Sequence, residues 1–198
     1  FQPWNRALRA LSGLIDNPDA RLELLSWATC VTVLYEAILL LAFSPATKFT
    51  KANMTVLRGV DESTMRLPDY FTDATKSDQG FAGGVEMAFT STTHNPQIAF
   101  DFSGGPGKKG SIFEITFNAA SRGANVQPFS MWPEEEELLF PPFTYLTFKS
   151  ENRQGMKRMI KLDAVISTNR PDLSFMDLND CTAIPQPPTT ARESIPGV

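Results

Sequence analysis

The stretch GSIFEITFN, residues 110–118, alternates along its length: Ile112, Glu114 and Thr116 fall on one side of an extended chain, and Phe113, Ile115 and Phe117 on the other. That two-residue period predicts a strand with one buried face. The regions around it share the texture. MTVLRG (54–59), VEMAFTS (85–91), ELLFPPFTYLTFK (137–149) and RMIKLDAVIS (158–167) are short runs rich in β-branched and aromatic residues, set apart by Gly, Pro and Asn. Pro141 and Pro142 cannot donate to a ladder, so the run containing them is expected to bulge or lie at an edge. PQIAFDF (96–102) reads as a helical turn opened by Asn95 and Pro96, and the glycine-rich loop SGGPGKKG (103–110) follows it.

Toward the N terminus the pattern turns helical, over about 5–15 and 20–43, with Asn17 or Asp19 as cap for the second helix. The twenty residues 24–43, LLSWATCVTVLYEAILLLAF, carry one charge, Glu36, and are long enough to cross a bilayer. Glu36 near the middle, the polar Ser26, Thr29 and Thr32, and the lack of flanking Lys/Arg favour a core helix and make a membrane partner unexpected. From Arg170 onward the Pro-rich sequence reads as an extended tail. The expected fold class is α+β in one domain over 1–198, with a helical part (1–50), a β core (51–169) and a tail (170–198).

Composition narrows the function. With 42% hydrophobic and 20% charged residues in 198, the chain matches ordinary globular usage, which excludes collagenous, disordered and disulfide-rich classes. Eighteen basic against 22 acidic residues give a net charge of −4, with no Lys/Arg concentration suited to a phosphate backbone, so nucleic acid is not an expected partner. Cys30 lies in the apolar run and Cys181 in the polar tail, so they read as a buried thiol and a stray one, and the lack of a paired framework points toward an intracellular setting. The chain opens at Phe1 rather than Met, as an excised or processed piece would. One histidine, His94, and two unrelated cysteines argue against a metal site of the usual zinc ligands and against serine or cysteine nucleophile triads. At its Asn-Pro turn, His94 is given no catalytic role. Chemistry, where there is any, falls to carboxylates.

Three segments carry that chemistry: TVLRG (55–59), FTSTT (89–93) and PEEEELLFPP (133–142). Singly, each has an ordinary explanation, and a four-glutamate run is most often a solvated face. Their order, a strand ending in Arg-Gly, then an aromatic ahead of Ser-Thr-Thr, then Glu-x-Glu before an apolar strand with Pro-Pro, resembles the catalytic set of the arginine-specific mono-ADP-ribosyltransferases, the R-S-E class. The resemblance spans 54–149, and GGVEMAFTSTT and EEEELLFPP are its most specific pieces. Within the clade that joins eukaryotic and cholera-toxin-type enzymes, it looks closer to the eukaryotic members, with their apolar Pro-Pro strand, than to bacterial toxin catalytic subunits.

The resemblance implies N-terminal helices followed by a split β-sandwich of two short, mostly antiparallel sheets with an NAD cleft between them. It implies NAD as co-substrate, no metal, and a protein partner with an accessible arginine. Residue by residue, it assigns Arg58 to the NAD diphosphate, Gly59 to the nicotinamide carboxamide through its main chain, and Ser91 to holding the catalytic glutamate through its hydroxyl, with Thr92 and Thr93 completing the motif and Ser91 and Thr92 also counted among the residues that touch the cofactor. Phe102, or failing it Phe100, would stack on nicotinamide, and the loop 103–110 with Lys108 and Lys109 would approach the diphosphate. The segment 120–132 corresponds to the acceptor-recognition loop, where Trp132 serves either to stack on an incoming guanidinium or to anchor the loop.

Chemistry explains the glutamates. Loss of nicotinamide from NAD builds an oxocarbenium-like ribose that a carboxylate stabilises, and a pyridinium leaves without a proton. Arginine stays protonated near neutrality, so a second carboxylate must orient it and take a proton. In an extended segment Glu135 and Glu137 share one face and Glu134 and Glu136 the other. The resemblance selects Glu137 for the ribose and Glu135 for the acceptor, against the register that pairs Glu134 with Glu136. Four clustered carboxylates raise one another's pKa, and Glu137 is a candidate to hold a proton part of the time. Two other functions stay open on sequence: an NAD glycohydrolase on the same fold, and a non-catalytic NAD-binding or protein-interaction module.

Overall fold

The computed structural model describes residues 2–10, 18–44, 53–64, 67–78 and 80–166. The tail from 170, Cys181 and the last residues expected in the first helix lie outside these. Two helices, α1 (Gln2–Ala10) and α2 (Ala20–Ala42), precede β1 (Asn53–Asp61), β2 (Gly83–Glu86) and β3 (Thr90–Thr93). A short helix α3 (Pro96–Phe102) leads to β4 (Gly110–Asn118), β5 (Ala124–Asn125), β6 (Glu137–Phe140), β7 (Thr144–Gln154) and β8 (Lys157–Val165). Asn95 caps α3 by accepting from the Gln97 amide at 2.9 Å, with Pro96 in the first turn.

Two expected strands are each divided. The run 85–91 becomes β2 and β3, and the run 137–149 becomes β6 and β7, parted at Pro141–Pro142, where Phe143 takes a positive φ of 64° to turn the chain. The fold class is the expected mixture of helices and mostly antiparallel strands, with β4 and β8 parallel. One expectation is corrected: the eight strands form one ladder, β2-β7-β8-β4-β1-β3-β6-β5, rather than two sheets. Its weak joint explains the difference. β1 and β4 pair over nine positions, whereas β1 and β3 pair only at Leu57↔Thr93.

The ladder folds over at that joint. Phe117 of β4 and Phe140 of β6 have two strands, β1 and β3, between them in ladder order, yet their rings meet edge to face at 5.5 Å. Alternation along β4 puts Phe113, Ile115 and Phe117 into one apolar cluster with Val56, Val60, Ile160, Leu162, Leu138 and Phe140. Leu139, facing the other way on β6, joins a second cluster with Ala88, Phe89, Ala124 and Leu8, Ile38 and Ala42 of the helices. Short β6 is therefore buried on both faces.

The core-helix expectation for α2 holds only along one side. Ile38, Leu39 and Ala42 are buried, but Leu22, Leu25, Val33 and Leu40 are each about two-thirds exposed, and Cys30 is exposed rather than buried. Residues 22–42 are long and apolar enough to cross a membrane, and 11% of that apolar window is buried in the fold.

Candidate active site

Where β1 and β3 part after Leu57↔Thr93, the ladder opens into a cleft of about 460 Å³. Leu57, Arg58 and Gly59 line it from β1, Ser91, Thr92 and Thr93 from β3, and Ile98, Ala99 and Phe102 from α3. Asn5 and Arg9 of α1, with Trp132, Glu135 and Glu137 ahead of and at the start of β6, close its other sides. Of the site residues named from sequence, Arg58, Gly59, Ser91, Thr92, Phe102, Glu135 and Glu137 line this one surface.

Arg58 crosses the fork, donating from Nη1 to the Ser91 carbonyl at 2.9 Å. Its Nε is buried and has no hydrogen-bond partner among the described residues, so the cleft holds a desolvated cationic donor suited to an anion. Removal from water lowers the Arg58 pKa; the Glu86 carboxylate opposes that shift and the Arg9 charge adds to it. Gly59 is required by packing. A Cβ there would collide with the Ala99 carbonyl oxygen, so α3 lies directly on the β1 backbone.

The Ser-Thr-Thr motif is used differently from expectation at two hydroxyls. Ser91 contributes its carbonyl to Arg58, and its hydroxyl makes no hydrogen bond to Glu137; it sits diagonal to Glu137 across the ladder, the residue facing Ser91 being Leu139. Thr92, expected to touch cofactor, is buried with its hydroxyl committed to the Leu138 carbonyl at 2.7 Å. Thr93 stands opposite Glu137, donates to the Glu135 carbonyl at 2.6 Å, and accepts from the Asn95 amide at 2.9 Å. One hydroxyl thus ties the acidic turn to the start of α3.

Glu135 and Glu137 both reach the cleft, but not as members of one extended segment. Pro133–Glu135 is a turn of 3₁₀ helix, Glu136 is left-handed at φ 48° and ψ 46°, and β6 begins at Glu137. Glu134 and Glu136 are exposed, outside the cleft, which favours the expected pairing over the alternative register. The Glu135 pKa is raised, first by burial and then by the charges of Glu137 and Glu134. Phe102 is on the cleft wall and 60% exposed, available to a planar ligand. Phe100 is not on that wall; its ring lies 5.0 Å from the Lys157 ammonium. Lys108 and Lys109 are exposed and outside the lining, so the expected loop cations are not among the residues that face the cleft. His94 is exposed and also outside it.

Sequence reasoning missed the contribution of α1. Buried Asn5 pairs reciprocally with Phe89, donating to its carbonyl at 3.3 Å and accepting from its amide at 3.1 Å, and so acts as a strand partner just ahead of β3. Arg9 Nε donates to Glu86 Oε1 at 3.1 Å, and the same oxygen accepts from the Ala88 amide at 3.1 Å. The only signal was the four-residue spacing of Asn5 and Arg9, which equally describes a solvated helix face.

No protein-family model matches the chain, and no curated protein matches its sequence. Solved structures do match. The ADP-ribosyltransferase HopU1 of Pseudomonas syringae pv. tomato is similar at 23% identity and a TM-score of 0.58, over 83% of this chain and 64% of that one. Plx2a, an ADP-ribosyltransferase toxin from Paenibacillus larvae, is similar at 18% identity and 0.53, over 83% of this chain and 80% of that one. Exoenzyme S from Pseudomonas aeruginosa, solved with human 14-3-3 protein beta and bound to carba-NAD, is similar at 18% identity and 0.50, over 89% of this chain and 75% of that one. The chain therefore has the fold of ADP-ribosyltransferases, and it spans less than two-thirds of the length of HopU1.

Proposed function

We propose that this protein transfers ADP-ribose from NAD to a protein arginine, releasing nicotinamide, in the manner of the R-S-E class. The observation that carries the proposal is the convergence of a desolvated guanidinium, Arg58, with two turn-separated carboxylates, Glu135 and Glu137, on one cleft in a fold shared with ADP-ribosyltransferases. A nicotinamide dinucleotide asks for those groups: a cation for the diphosphate, an open aromatic face for the pyridinium, and an anion beside the ribose.

Arg58 holds the diphosphate, its unpartnered Nε–H supplying a donor, and Arg9 adds a second cation from α1. Phe102 and the Gly59 backbone receive nicotinamide. The C1′–N bond breaks with its electron pair leaving on neutral nicotinamide, while the Glu137 carboxylate holds the ribose hydroxyls and stabilises the cation. A guanidine nitrogen of the acceptor then bonds to C1′, and its proton passes to Glu135. Thr92 supports the site through the β6 backbone rather than by touching the ligand. Trp132, 57% exposed on the cleft wall, stacks on the acceptor guanidinium.

Agmatine and NAD incubated with the protein test this. The expected result is agmatine heavier by one ADP-ribosyl group with matching nicotinamide release. Nicotinamide release that is indifferent to agmatine, with no labelled guanidine, would instead establish the glycohydrolase, and NAD binding without turnover the binding module.

A further inference from the structure

Lys157 is 6% exposed at the start of β8. Lysine is seldom buried without a carboxylate against it, and no close ion pair among the described residues involves this one, though its charge helps hold the Asp61 pKa down. Its Nζ donates to the Ser103 carbonyl at 2.7 Å and stands 5.0 Å from the centre of the Phe100 ring. Ser103 is the fully buried residue that ends α3; its amide donates to the Ala99 and Phe100 carbonyls and its hydroxyl to Phe100 at 2.6 Å. An ammonium there meets the negative end of the helix and satisfies a carbonyl that has no helical partner.

The other side of that carbonyl is also occupied. A Cβ on Gly110 would collide with the Ser103 oxygen, so the two ends of the loop 103–110 touch at this point. Gly110 is the ladder partner of Lys157, and its amide donates to the Met156 carbonyl at 3.3 Å. The last turn of α3 is thus held between the Gly59 backbone, which admits no Cβ, and the Lys157 ammonium. That turn carries Phe102 and faces Gly59, the two groups that receive nicotinamide in the proposed reaction.

We infer that Lys157 is a positioning residue for the nicotinamide end of the cleft, fixing the C-terminal turn of α3 and the neck of the loop 103–110 by its bond to the Ser103 carbonyl. It acts through Ser103 and touches no substrate. The inference rests on the transferase reading of the cleft. Replacing the ammonium by an apolar stem of similar length leaves a buried carbonyl unpaired and frees the turn to shift, which weakens recognition of the ring without removing the charges that hold the diphosphate.

The test is Lys157→Met in the full chain, with Lys157→Arg as the conservative variant and Lys157→Gln, whose amide is too short to reach, as the alternative should the Met variant not fold. Inhibition by free nicotinamide and by ADP-ribose, which lacks the ring, is measured for each. Lys157→Met or Lys157→Gln is expected to raise the inhibition constant for nicotinamide and the KM for NAD about tenfold, leave that for ADP-ribose within about twofold, and lower kcat less than KM rises, with Lys157→Arg recovering most of the loss. A general loss of folding would move both inhibitors together, and that outcome, like wild-type affinities in the Met variant, overturns the inference while the wild type remains an active transferase. A wild type that neither binds NAD nor releases nicotinamide overturns the transferase reading itself and the positioning role with it.

Discussion

The two sides of the cleft are built on opposite principles. The floor, around Arg9, Arg58 and Glu86, is made of helix and strand residues whose charges are paired or withdrawn from water: Glu86 serves Arg9 and the Ala88 amide, and Arg58 is tied to the Ser91 carbonyl. The lip, from Phe129 to Glu137, is turns. Phe129, Met131 and Trp132 are exposed there, Glu136 is left-handed, and the carboxyl of Glu135 is pushed above the usual range by burial and by its neighbours. In the proposed reaction a fixed, desolvated floor suits the dinucleotide, which is the same in every turnover, and a lip of turns suits an acceptor that approaches from solvent and gives up one proton there.

That contrast can be broken at its two carboxylates. Glu137→Gln should reduce nicotinamide release and arginine transfer together by about a thousandfold or more, because charge stabilisation at the ribose is common to both. Glu135→Gln should cut agmatine labelling about a hundredfold while nicotinamide release persists, since only the second step needs a base. Parallel assays of nicotinamide and labelled agmatine separate the two, and full transfer by Glu135→Gln removes the proposed division of labour. On the floor, Arg9→Ala is expected to raise the KM for NAD about tenfold with agmatine KM unchanged. Equal effects on both substrates would place Arg9 outside the dinucleotide's reach.

The lip also sets a pH dependence. In the proposed reaction Glu135 must be ionised to take the guanidinium proton; its pKa is raised, so agmatine transfer should fall on the acid side above the pH where an ordinary glutamate protonates. Glu134 is one of the charges raising it. Glu134→Gln should therefore move the acid limb of the transfer profile to lower pH and leave the profile of nicotinamide release in place. A limb that stays put would mean that another group controls it.

The same contrast explains what could be read from residues alone. β4 was legible because Phe113, Ile115 and Phe117 face one apolar cluster over an uninterrupted strand, so a local pattern reports a tertiary fact. The cleft members on β1, β3 and β6 were legible because each stands within a short sequence motif, although β1 runs two residues past Gly59 to Asp61. Arg9 and Asn5 were not, since what makes them site residues is contact with Glu86 and Phe89, some eighty positions away. The single ladder was hidden for a related reason: its joint is one residue pair, Leu57↔Thr93, which no periodicity marks. The exposed side of α2 defied its composition because burial depends on what is packed opposite, not on the helix itself.

The turn at Glu136 gives the finest test of the lip. Periodicity groups Glu135 with Glu137 through an extended geometry that the chain does not adopt; both line the cleft, and the left-handed residue between them does the work of alternation. A left-handed conformation costs an ordinary L-residue about 1–2 kcal/mol, partly offset in glycine by the greater freedom of its unfolded chain. Glu136→Gly should then stabilise the protein by up to about 1 kcal/mol in denaturant melts and keep both activities within about twofold. Glu136→Pro asks the opposite, because its ring fixes φ near −65° and removes the amide that donates to the Pro133 carbonyl at 3.2 Å. Glu137 remains paired opposite Thr93 in β6, whereas Glu135 lies on the far side of the altered residue and loses its place. Nicotinamide release should survive that change better than arginine transfer. If the proline variant keeps both, the handedness of this turn is not what brings the second carboxylate to the acceptor.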